Sequence, residues 1–172
     1  MKDVGALLRE YAQLDRRNSA AGLSPVELMR FTTLKRELVR HFSPGVTDQQ
    51  ADRRQSLRVP MHMRVSFSSE KDLQDCLMTN LSRSGVFIRT PHLFEIGTSL
   101  TLGIHIEATG EVIEAPATVV SHNTGPGFER GQQGMGMRFC DLPPEAEKHI
   151  ADLYEKALHE QARRSEETVR RR

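Results

Sequence analysis

Tryptophan is absent from this chain, aromatic residues make up 5% of it, and Cys76 and Cys140 are its two cysteines. Each scarcity narrows the reading. Without aromatic bulk, a core has to come from Leu, Val, Ile, Met and Phe, and there are few platforms on which nucleic-acid bases could stack. Two cysteines cannot staple a small disulfide scaffold; both fall in strand-like stretches and read as free thiols. No apolar run reaches the ~18 residues of a membrane span, and Met1-Lys-Asp-Val-Gly5 does not open a secretory signal. The expectation is a cytoplasmic protein that does not engage a membrane. A net charge of +1 supplies no global field for a nucleic-acid polymer, so any attraction for anions has to be local. The histidines are scattered without metal-ligand spacing. No nucleophile–base order, carboxylate pair or phosphate loop marks catalysis, so neither an enzyme nor a metal or cofactor site is expected.

What is present divides the chain by periodicity. In residues 1–44, Val4, Leu7, Leu8, Tyr11 and Leu14 recur at helical spacing and break at Gly22. Ser24-Pro25-Val26-Glu27 then combines an N-cap, a first-turn proline and a capping-box glutamate. Leu28, Phe31, Leu34, Leu38 and Phe42 form one stripe, so the region reads as a helical hairpin, packed on the rest of the protein or paired with a second copy. Residues 45–58 hold little that could be buried and read as a flexible linker.

From Val59 the period switches to two: Val59, Met61, Met63, Val65 and Phe67 alternate with polar residues. Further strand patterns cover Leu73–Thr79, Val86–Arg89, Leu100–Ile106, Ile113–Val119 and Met135–Phe139, separated by turn residues and by a Gly/Pro-rich loop over Asn123–Gly134. Six short strands without helical crossovers favour a closed antiparallel barrel. Pro143-Pro144 opens a final helix with Ile150, Leu153, Tyr154, Ala157 and Leu158 on one face. The barrel and this helix are expected over 59–163, and 164–172 reads as a disordered charged tail. The fold class is mainly β, α+β overall.

Two segments point to a ligand. Arg53, Arg54 and Arg58 stand directly before the first strand, where planar guanidinium forks suit phosphate oxygens. Asn80-Leu-Ser-Arg-Ser-Gly85 joins the second and third strands. Ordinary turn chemistry accounts for its residue types and is the stronger reading of the segment alone; the other is that the Asn80 amide and Ser82 hydroxyl grip a flat ring edge, with Gly85 permitting close approach. A second arginine pair at the same spacing, Arg36 and Arg40, lies in a predicted helix and reads there as a solvated face.

An arginine pair at i, i+4 before strand one, followed by Asn-x-Ser-x-x-Gly between strands two and three, resembles the PilZ domain over about residues 52–160. The resemblance implies a six-stranded barrel closed by a C-terminal helix and a non-enzymatic receptor for cyclic di-GMP. It assigns phosphate and guanine contacts to Arg54 and Arg58, and a guanine edge to Asn80, Ser82 and Gly85. Arg53 matches a position that accompanies uptake of two intercalated ligand molecules. Asn80 stands where aspartate is commoner and gives up a carboxylate acceptor. The implied output passes through a protein effector, in motility or surface-polysaccharide control. The alternatives are a PilZ-like adaptor that binds a partner constitutively, and a single-strand nucleic-acid barrel, which the near-neutral charge disfavours.

Overall fold

The computed structural model describes residues 3–68, 73–124 and 133–170. It divides into two compact units, one formed by Met1–Val59 with Leu153–Arg172, the other by Pro60–Asp152. The loop expected over Asn123–Gly134 falls largely outside the described residues.

The second unit is a closed barrel. Its strands are β1 (Val59–Ser68), β2 (Leu73–Ser82), β3 (Gly85–Arg89), β4 (Ser99–Ile106), β5 (Glu111–Asn123) and β6 (Gly134–Phe139). They close in the order β1-β2-β3-β6-β5-β4, and every registered pair is antiparallel. Closure pairs each described strand with two neighbours and so removes the free edges of an open sheet. The two-residue period sorts the faces: Val86 and Ile88 of β3, Ile113, Ala115, Ala117 and Val119 of β5, and Met135 and Met137 of β6 all point inward and are buried. Leu102 and Ile104 of β4 meet Phe67 and Val65 of β1 in register. With no tryptophan in the chain, the barrel's buried apolar side chains are aliphatic residues and methionines with Phe67 and Phe139 among them. Neither Cys76 nor Cys140 is in a disulfide, and both are half-buried.

The first unit is helical: α1 (Val4–Ala21), α2 (Pro25–Phe42), α3 (Asp48–Arg53) and α4 (Pro144–Arg170) from Leu153 onward. The capping box read from Ser24 and Glu27 is present in both directions, with Ser24 N donating to Glu27 Oε2 at 3.0 Å and Glu27 N to Ser24 Oγ at 3.4 Å. The stripes of α1 and α2 bury Leu8, Tyr11, Phe31, Leu34 and Leu38, and the Tyr11 and Phe31 rings stack with centroids 4.9 Å apart. Within this unit the hairpin packs on α4, whose Tyr154, Leu158 and Ala162 are buried and whose Glu166 and Glu155 pair with Arg9 and Arg16 of α1.

Three sequence expectations change. Leu28 does not join the buried stripe: it is 51% exposed, while Lys35 and Val39 complete the inner face of α2. The stretch assigned to a flexible linker contains α3, closed at its start by a second capping box in which Thr47 N donates to Gln50 Oε1 and Gln50 N to Thr47 Oγ1, and it buries Ala51, Ser56 and Leu57. The charged tail is helical through Arg170. Its charges do not all face water alone: Glu166 meets Arg9, and Arg164 pairs with Glu160 one turn back.

Candidate functional site

The arginine residues belong to the helical unit. Arg53 ends α3 and is exposed; Arg54 is its C-cap and is half-buried; Arg58 is exposed. The backbone that carries them is held at several points. Arg54 N donates to Ala51 O at 3.2 Å, and Arg54 O accepts from the ammonium of Lys35 at 2.8 Å. At Leu57 the amide donates to Tyr11 Oη and the carbonyl accepts from Tyr154 Oη, both at 2.9 Å. The Arg54 guanidinium reaches Ser43 Oγ at 3.4 Å. Its pKa is lowered, first by burial and then by the nearby charge of Arg58. Two guanidinium groups close enough to perturb each other mark a local positive field. Among the described residues, no carboxylate pairs with Arg53, Arg54 or Arg58.

The nearest acids in sequence are engaged elsewhere. Arg36 holds Asp52 through two hydrogen bonds of 2.8 and 2.7 Å, and Arg40 holds Asp48 at 2.8 and 2.7 Å. The Asp52 carboxyl is kept below its usual range chiefly by that hydrogen bond from Arg36. The arginine pair set aside as a solvated helix face is therefore the set of partners for the acids of α3.

Asn80, Ser82 and Gly85 belong to the barrel unit and lie together on its outer face. Ser82 stands opposite Gly85, and Asn80 opposite Phe87, after a bulge between Met78 and Asn80. On the other side of β3, Gly85 faces Arg138 and Phe87 faces Gly136. The inward neighbours Leu81, Val86 and Met137 are buried, so Asn80, Ser82, Gly85 and the exposed Arg138 lie on the opposite face of the sheet, where Asn80 and Gly85 are half-buried and Ser82 is itself buried, 7% exposed. Among the described residues the Asn80 amide has no hydrogen-bond partner, whereas Ser82 Oγ donates to Gly85 O at 3.1 Å across the hairpin. That bond leaves the lone pairs of Ser82 able to accept. At Gly85 the reason for glycine is steric: a Cβ there would lie 2.2 Å from Met137 O on β6. The close approach permitted at this position is that of a neighbouring strand, whatever a ligand adds.

Arg138 was not singled out in sequence, since an isolated arginine in a strand carries no motif; its register opposite Gly85 is what identifies it. Lys35 was hidden for the opposite reason, lying in an apolar stripe as a buried polar residue, 8% exposed. Among the described residues, no group of His, Cys, Asp or Glu could hold a metal ion, and no helix is long and apolar enough to cross a membrane.

A closed six-stranded antiparallel barrel with a basic segment before its first strand and Asn-x-Ser-x-x-Gly at its β2–β3 hairpin defines a small β-barrel domain of one type. The PilZ domain model matches residues 52–156, more than half of the chain, and the chain belongs to the PilZ domain family. Similar solved structures are the PilZ domain of YcgR from Escherichia coli with c-di-GMP (13% identity, 66% of this chain and 98% of that one, TM-score 0.54) and YcgR from Escherichia coli in complex with c-di-GMP (16%, 68% and 50%, TM-score 0.55). A third is the Bacillus subtilis inhibitor of motility MotI/DgrA (22%, 59% and 49%, TM-score 0.51). The chain spans about half the length of MotI and of the longer YcgR chain. No curated protein sequence matches it significantly.

Proposed function

We propose that this protein is a non-enzymatic bacterial receptor for cyclic di-GMP, working in the cytoplasm. The observation that carries the reading is a complete pair of motifs on a PilZ barrel, with guanidinium groups that no described carboxylate neutralises. Arg54 and Arg58 would take the phosphates and a guanine face, while Asn80, Ser82 and Gly85 would hold a guanine edge. Arg53 would favour two intercalated ligand molecules. Arg138, on the same outer face as Asn80 and Ser82, adds a positive charge to the barrel's contribution.

The same chemistry shapes the expected response. Each charge-assisted hydrogen bond to phosphate contributes on the order of 1.5–3 kcal/mol, so a few contacts can draw the arginine arm over the dinucleotide against the bonds that fasten its backbone at Arg54 and Leu57. The rearranged arm would alter the surface offered to a protein effector, in motility or surface-polysaccharide control. The relatives support this direction, since one is titled an inhibitor of motility and others were solved with c-di-GMP.

A second reading is an adaptor that engages its partner without nucleotide. Val26 and Met29 of α2, 78% and 73% exposed, are apolar side chains available to a partner in either case. A thermal unfolding series separates the two. A ligand that binds the folded state at about one hundred times its Kd adds about 2.7 kcal/mol, so cyclic di-GMP should raise the Tm while GMP does not. An unchanged Tm at millimolar cyclic di-GMP would leave the adaptor reading.

A further inference from the structure

Arg36 and Arg40 stand one turn apart on α2, and Asp52 and Asp48 one turn apart on α3. The two sets meet in matched order, Arg36 with Asp52 and Arg40 with Asp48, and Arg36 engages both oxygens of its partner. The segment 45–58 carries these two acids and three arginines, and Asp52 directly precedes Arg53. Left to themselves, the acids are the natural internal partners of the arm. Held by α2, they are not.

We infer that the Arg36–Asp52 and Arg40–Asp48 pairs are a positioning device that sequesters the carboxylates of α3, keeping Arg53, Arg54 and Arg58 available to an anionic ligand. Lys35 completes the clasp by holding the carbonyl of Arg54 from the same helix. The inference rests on the reading of the arm as a phosphate-binding element. Both pairs are substantially exposed, with side-chain accessibilities of 40% and 39% in one and 56% and 48% in the other. Exposed pairs contribute little to stability. Their effect should therefore appear in what the arm can bind, not in whether the helices fold.

Arg36 and Arg40 are positioning residues in this scheme, acting through the acids they occupy. Arg36→Gln keeps a good helix former but frees Asp52 to pair with the arm; Asp52→Asn removes the competing charge; the double variant has neither. In calorimetric titration with cyclic di-GMP, Arg36→Gln should weaken binding about three- to tenfold. Asp52→Asn should bind at least as tightly as the wild type, and the double variant should return to within about twofold of it. The deficit of Arg36→Gln should shrink in about 0.5 M salt, where exposed charges are screened. Equal binding by Arg36→Gln, or a double variant as weak as Arg36→Gln, overturns the inference, the latter because it assigns Arg36 a purely structural role.

A ligand-free readout keeps this result apart from the receptor reading itself. Phenylglyoxal modification of Arg53, Arg54 and Arg58, followed by mass spectrometry, should slow in Arg36→Gln and recover in the double variant. Unchanged rates overturn the sequestration even where cyclic di-GMP binds. Failure of the wild type to bind cyclic di-GMP overturns the receptor reading, and the modification rates then judge the clasp alone.

Discussion

The hydroxyl of Tyr11 accepts a hydrogen bond from the amide of Leu57 at 2.9 Å, across 46 residues of sequence. The carbonyl of the same residue accepts from Tyr154 at the same distance. Leu57 is fully buried, so both of its backbone groups would otherwise lack water, and it immediately precedes Arg58. The backbone of the arginine segment is thus fastened where its composition offers little to bury.

Removing one fastener should therefore be costly. Tyr11→Phe keeps the ring stacked on Phe31 but strands a buried amide, which costs about 1–3 kcal/mol. Urea unfolding should show that loss as a lower midpoint with an unchanged slope. An unaltered midpoint would mean that Leu57 is not held through this bond.

Gly85 should prove structural before it proves functional. In Gly85→Ala the new Cβ would lie 2.2 Å from Met137 O, and the obstacle is backbone that cannot swing aside. We expect destabilisation of about 1–3 kcal/mol without any ligand present, in the range of overpacking. Asn80→Ala, whose amide has no partner among the described residues, should leave the Tm near that of the wild type. Differential scanning calorimetry of the two variants checks the contrast.

Lys35 gives a prediction in pH. Burial, as the largest cause, lowers its pKa from 10.5, against the opposing pull of Asp52. The folded protein then gives up this proton at a lower pH than the unfolded chain. Between the two pKa values the unfolded chain binds more protons, so stability from this group rises with pH. The stability of the wild type relative to Lys35→Met should be flat below the lowered pKa and should increase through the alkaline window up to about 10.5. Chemical unfolding at several alkaline pH values measures it; a difference that falls with rising pH would contradict the burial of this ammonium.

Truncation after Arg163 tests the end of α4. A disordered tail would be silent. Here Glu166 pairs with Arg9, and a Cβ on Gly5 of α1 would come within 2.7 Å of Glu166 Cγ and 2.9 Å of Ala162 O, so the two helices approach closely at a glycine. The truncated protein should unfold at a lower temperature than the full chain.

The barrel was legible because strands half-buried on one face write their burial at a period of two, and all six patterns found their strands. The capping box at Ser24 was legible for a similar reason: it precedes an apolar run. Its counterpart at Thr47 and Gln50 went unread although the spacing is the same, because α3 is six residues long and offers Ala51 alone to bury. Charge at the end of α4 reads as solvation in sequence, whereas in the fold Glu166 pairs with Arg9 on another helix and Arg164 with Glu160 on its own. Arg36 and Arg40 show the same limit. Spacing identifies a pair of arginines on one helix face, but their acids lie on another helix, and pairing at that distance is set by the fold.

The most direct test of the central claim is calorimetric titration of the full chain with cyclic di-GMP, beside Arg58→Ala and Asn80→Ala. Saturable binding by the wild type is expected, with a loss of about tenfold or more in each variant, as for a charge-assisted contact and a hydrogen-bonded base edge. No heat at high micromolar ligand, or wild-type affinity in both variants, would contradict it.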